Sequence, residues 1–147
     1  MEIPSAAEIR SIIERKNEAH ADAEQAARRA REEELKQQHD AFLAARLTDD
    51  HVSSLVLRVK EAAESGAVEV MIAQFPSAWC SDGGRKINVP EDAWPDTLQG
   101  LAKEFFDFWQ RELKPKGFRF RVSVVNFPAG KPGDIGAFLS WGEEVAG

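Results

Sequence analysis

From Ser5 to about Leu47 the chain contains neither glycine nor proline and consists largely of Ala, Glu, Arg, Lys and Gln. These residues lose little freedom on entering a helix. Ser5 followed by Glu8 has the Ser-x-x-Glu spacing of a capping box, so the helix has a start signal as well as a body. At 1.5 Å per residue such a helix extends about 60 Å, farther than a domain of about 100 residues can span. It cannot bury itself, and this limits every architecture open to the chain.

Residues 1–47 are therefore read as a long charged helix, either a solvated arm or an oligomerisation element. On a heptad Ile9, Ala23 and Ala30 share one seam position, with Lys16 among them. Ile12, Ala19 and Ala26 share the other, followed by Glu33. Large apolar residues are not sustained at both positions, so the coiled-coil pattern is weak. Self-pairing through this helix is the route to a homodimer.

Residues 48–147 hold all 10 Gly, all 4 Trp and 8 of the 9 Phe. About 100 residues can bury a workable core, and the reading places a globular α+β domain there. Thr48-Asp49-Asp50 is a helix start, with a capping hydroxyl and acids in the first turn. Val52, Leu55, Val56, Val59 and Ala63 follow with helical spacing to Gly66. Residues 67–75 read as a buried strand stopped by Pro76, and Arg85 to Val89 as a short strand. Leu98, Leu101, Phe105, Phe108, Trp109 and Leu113 mark a helix over about 96–113. Phe118 to Phe127 alternates as a strand, and 137–141 closes the sheet.

The two strand-loop segments resemble each other. Gln74-Phe75-Pro76 leads after five residues to Asp82-Gly83-Gly84, and Asn126-Phe127-Pro128 leads after five to Asp134-Ile135-Gly136. Both read amide-Phe-Pro-x5-Asp-x-Gly, 52 residues apart. The expected fold is thus two α-β-β units in one mixed four-stranded sheet, with two helices on one face. Strands 67–75 and 118–127 would run parallel, and both Asp-bearing loops would leave one edge, where ligands commonly bind.

The net charge is −6, divided as −2 over 1–47 and −4 over 48–147. Neither part is a polycation, which disfavours electrostatic capture of nucleic acid or anionic membrane. One cysteine excludes an intrachain disulfide and a multi-thiol metal site. The start lacks a basic segment followed by an apolar run, and no window approaches ~18 apolar residues. The expected compartment is the cytoplasm.

Trp79-Cys80-Ser81-Asp82-Gly83-Gly84-Arg85 is the loop richest in reactive side chains. A nucleophilic Cys80 would need a lowered pKa and a nearby base, whereas a lone cysteine beside tryptophan is more often a packed or incidental thiol. Asp82 and Asp134 could pair for acid-base or metal chemistry; Asp-Gly is also turn chemistry in its own right. Lys114, Lys116, Arg119 and Arg121 interleave with Phe118 and Phe120 as in a strand for single-stranded nucleic acid, but alternation would send the two sets to opposite faces. His20, His39 and His51 are too widely spaced for a metal site.

With no catalytic constellation and no cofactor motif, the sequence points to a non-enzymatic binding or regulatory module. Loops 76–86 and 128–136 would meet a protein partner or small ligand through Trp79, Asp82, Arg85, Trp94, Lys131 and Asp134. The alternatives are an enzyme using Cys80 or the Asp82/Asp134 pair, and nucleic-acid binding through residues 114–121.

Overall fold

The computed structural model describes residues 2–143, which divide into two compact units, one ending at Ala41 and the next beginning at Phe42. The long N-terminal helix α1 spans Ala6–Ala44. Its start is the reciprocal cap the spacing implies: Glu8 N donates to Ser5 Oγ at 3.1 Å and Ser5 N to Glu8 Oε2 at 3.3 Å. No residue of α1 is buried. It ends at Ala44 rather than Leu47, because Leu47 turns into a hydrophobic cluster and Thr48 is extended to cap the next helix.

That helix, α2, spans Asp49–Glu64 and buries Leu55. Strand β1 (Glu69–Pro76) follows, then a short helix α3 (Arg85–Asn88) and helix α4 (Gly100–Phe108). Strands β2 (Arg119–Val124) and β3 (Asp134–Ser140) complete the fold. The sheet has three strands in the order β1-β3-β2, and both neighbours are antiparallel to the central β3.

Alternation assigns the faces. Phe120, Val122 and Val124 sit opposite Leu139, Ala137 and Ile135 on the core side. Arg119, Arg121 and Ser123 lie opposite Ser140, Phe138 and Gly136 on the other. On the core side Leu55 of α2 and Phe105 of α4 pack with Ile72, Ala137 and Leu139. A second cluster joins Phe75, Cys80, Ile87, Leu98, Ala102 and Ile135. Fully burying side chains of this size stabilises by roughly 1.5–3 kcal/mol each. The β1–β3 register shifts between Met71 and Ala73, and the Arg58 guanidinium donates to the carbonyls of Met71 (2.6 Å) and Ile72 (3.3 Å) there.

The expectation of a mixed four-stranded sheet from two α-β-β units is overturned. Residues 85–88 form a helix, because both carboxylate oxygens of Asp82 accept the first N–H groups of the turn, leaving that segment's backbone no need of a strand partner. The first supposed unit therefore lacks its second strand. Strands β1 and β2 do point the same way, but β3 lies between them, so they are not a parallel pair. The helix expected over 96–113 is also broken: Trp94–Thr97 is a separate 3₁₀ turn, Leu98 and Gln99 are extended, and Trp109–Leu113 is a π-helical turn. Among the described residues no helix is long and apolar enough to cross a membrane.

Candidate functional site

The end of β1 and the start of β3 face each other, with Pro76 opposite Asp134, so the segments that follow and precede them meet at one rim of the sheet. Buried Ser77 joins them. Its N–H donates to Gly133 O at 2.8 Å and its hydroxyl to Pro132 O at 3.2 Å. Loops 76–86 and 128–136 are in this way hydrogen-bonded to one another.

The amides of the two look-alike segments converge on one carboxylate. Asp134 Oδ2 accepts from Gln74 Nε2 at 3.0 Å and from Asn126 Nδ2 at 3.3 Å. Asp134 N donates in turn to Asn126 Oδ1 at 2.8 Å, and Gly133 N to Asn126 O at 3.0 Å. Position 133 must be glycine, since a Cβ would run into the Asn126 side chain and come within 2.7 Å of Pro128 Cδ. Asp134 thus ties the ends of β1, β2 and β3 together.

Asp82 has a different duty. Its Oδ1 accepts from Gly84 N and its Oδ2 from Lys86 N, both at 2.9 Å, so it starts α3. Burial pushes its carboxyl up, but the N–H donors of Lys86, Gly84 and Asp82 itself, with the Lys86 charge, outweigh that and hold it below the usual range. Each aspartate is therefore occupied by structural partners, and among the described residues no group of three or more His, Cys, Asp or Glu is arranged to hold a metal ion.

Cys80 lies in the core cluster at 4% exposure. Burial, then the neighbouring Asp82 charge, raise its thiol to about 11, while a hydrogen bond with Thr97 acts in the opposite direction. A thiolate is strongly disfavoured there. Trp79 is half-buried and packs on Phe42, ring centroids 4.7 Å apart. Trp94 packs against the same cluster as Trp79, stacked on Phe120 at 6.2 Å and edge-on to Phe106 at 5.5 Å. Arg85 and Lys131 are exposed, and an open cleft of about 520 Å³ runs beside α3, lined by Asp82, Arg85, Lys86 and Glu91 among others.

On the basic strand, Arg121 is held by Glu69 at 2.6 Å and lies 4.2 Å from the Phe138 ring centroid. Phe118 and Phe120 pack into the core on the opposite side. Arg119 and Arg121 thus lie on the sheet face opposite Phe120, while Lys114 sits 5.6 Å from the Trp109 ring centroid.

One feature of this unit escaped the sequence reading. A cleft of about 310 Å³ lies between α2, β1 and α4, with an apolar floor of Leu55, Ile72 and Phe105 and with His51 and Arg58 among its polar residues. His51 is also a cap: Thr48 N donates to its Nδ1 at 3.0 Å, while His51 N donates to Thr48 Oγ1 at 3.2 Å. The signal was present in Thr48-x-x-His51, a capping box with an imidazole in place of the usual Glu or Gln.

Comparison with protein families, with curated proteins and with solved structures finds no match.

Proposed function

We propose that this chain is a non-enzymatic binding or regulatory module, in which loops 76–86 and 128–136 contact a protein partner or small ligand. The long N-terminal helix serves self-association. The observation that carries this reading is the pair of Ser77 hydrogen bonds to Pro132 and Gly133. Two loops already held together lose little further freedom when a partner covers both, and such preorganisation favours binding. Exposed Arg85 and Lys131 supply charge at this rim.

Catalysis by Cys80 is less well supported, because its thiol is buried and raised to about 11. The same holds for an Asp82/Asp134 pair, since each carboxylate already serves its own turn or strand end. Nucleic-acid binding through 114–121 has against it the engagement of Arg121 with Glu69. The cytoplasm is the proposed compartment, in keeping with one buried, unpaired cysteine.

The test is photo-crosslinking in cells with a reactive amino acid at position 85, at 131 or, as control, at Lys60 on α2. Positions 85 and 131 should yield one common adduct and Lys60 none. Unrelated adducts from the two loops, or equal labelling from Lys60, would remove the proposal.

A further inference from the structure

The face that α1 leaves uncovered carries the strongest unmet constraint in the molecule. Phe42, near the end of the helix, packs against a core cluster, but residues 6–38 are all exposed, with Ile9, Ile12 and Ile13 at 44–55%. One seam row is Ile9, Lys16, Ala23 and Ala30, and the other is Ile12, Ala19, Ala26 and Glu33. Lys16 and Glu33 are the residues that spoil each row. Their positions decide which partner the helix fits.

In a parallel pair of identical helices, like seam positions meet. Lys16 would then face Lys16 and Glu33 would face Glu33, both inside the seam. Reversing one helix puts each residue of the first row against one of the second. With Ala23 set opposite Ala26, Ala30 meets Ala19 and Lys16 meets Glu33, each contact occurring twice by symmetry. Both spoiled positions become cross-helix ion pairs.

The flanks agree. In the same register Asp22 of one helix lies beside Arg29 of the other, again twice. More broadly, residues 18–24 carry Glu18, Asp22 and Glu24 with no Lys or Arg, and residues 28–31 carry Arg28, Arg29 and Arg31. Reversal places the acidic block of each copy across the basic block of the other. The outer layers set Ile9 near Asp40 and Ile12 near Gln37, so the centre holds the pair. Alanine at the central positions lets the axes approach to the short end of the usual 8–10 Å range.

We infer that α1 binds a second copy of this chain as an antiparallel helix pair, in the register that sets Lys16 against Glu33. The inference rests on the self-association just proposed and names its partner and polarity. Light scattering over a concentration series with the full chain should give a dimer. In that dimer Ala19→Cys and Ala30→Cys chains, mixed and oxidised, form a mixed disulfide, while neither variant crosslinks to itself. Residue 19 lies opposite residue 30 but about 16 Å along the axis from its own equivalent. Native Cys80 is buried, and the unsubstituted chain serves as the control.

Charge reversal gives a second readout. Lys16→Glu should weaken dimerisation at least tenfold, and adding Glu33→Lys should restore it to within about threefold, the size of context effects on such pairs. Crosslinking of Ala19→Cys to itself would overturn the antiparallel geometry while leaving self-association standing. A monomer throughout the series would remove self-association as well.

Discussion

Leu139 and Leu35 are the same side chain in opposite circumstances. Leu139, on the central strand, is 1% exposed and touches helices α2 and α4 through their shared cluster; Leu35, on α1, is 57% exposed. The strand unit is held by burial, whereas α1 owes its form to a capped run of good helix formers and to pairs such as His20–Glu24 at 3.1 Å. Stability that resides in the core should therefore respond to different substitutions from stability that resides in helix propensity.

The sharpest way to break this comparison is to truncate both leucines. Leu139→Ala should lower the unfolding free energy of the strand unit by about 3–4 kcal/mol, in the range for buried leucine. Leu35→Ala should leave it within about 0.5 kcal/mol. Denaturant titration followed by tryptophan fluorescence reads both, and equal effects would mean that α1 and the sheet share their stability.

Cys80 tests the same core by chemistry. A thiol raised from 9.0 to about 11 leaves roughly a hundredfold less thiolate at pH 8 than an ordinary cysteine. Labelling by a thiol reagent in the native state should be slower by at least that factor than in denaturant. Native labelling at the denatured rate would place the thiol outside the core.

A smaller effect is expected at the rim. Asp82→Ala removes the acceptor for two N–H groups and should cost about 1 kcal/mol at neutral pH, the usual worth of a cap. The folded carboxyl lies below its ordinary 3.8, so its contribution is complete above that value and disappears as pH falls through the lower folded one. Wild type and variant should then converge in acid below about pH 4. A gap that persists at pH 2 would show that packing, not the charge, was lost.

What could be read from residues alone was the local part. The Phe118-to-Val124 alternation, the Thr48 start of α2 and the aromatic stripe of α4 each depend on neighbours in sequence. The segment 85–88 misled because Arg-Lys-Ile-Asn-Val has its two apolar residues, Ile87 and Val89, two apart, the spacing of one face of a strand; a side chain three residues earlier, Asp82, decides for a turn of helix. The likeness of Gln74-Phe-Pro to Asn126-Phe-Pro was visible, but it suggested two equivalent sites. The structure uses both amides on one aspartate, 60 residues from the first and 8 from the second. Strand order was beyond local reading for the same reason, since every β1 pairing joins residues far apart in sequence. The pairing of Lys16 with Glu33 needs a second copy even to be posed.

The place of β3 has a consequence for how the chain is made. It is the middle strand in space but follows both of its neighbours in sequence. During synthesis β1 and β2 emerge with no strand to hydrogen-bond, and neither gains one until residues 134–140 leave the ribosome. The sheet consequently assembles in one late step of high contact order, slow by the standards of helical domains. A chain stopped short of residue 134 would leave both strand segments without a partner, the kind of surface on which aggregation starts.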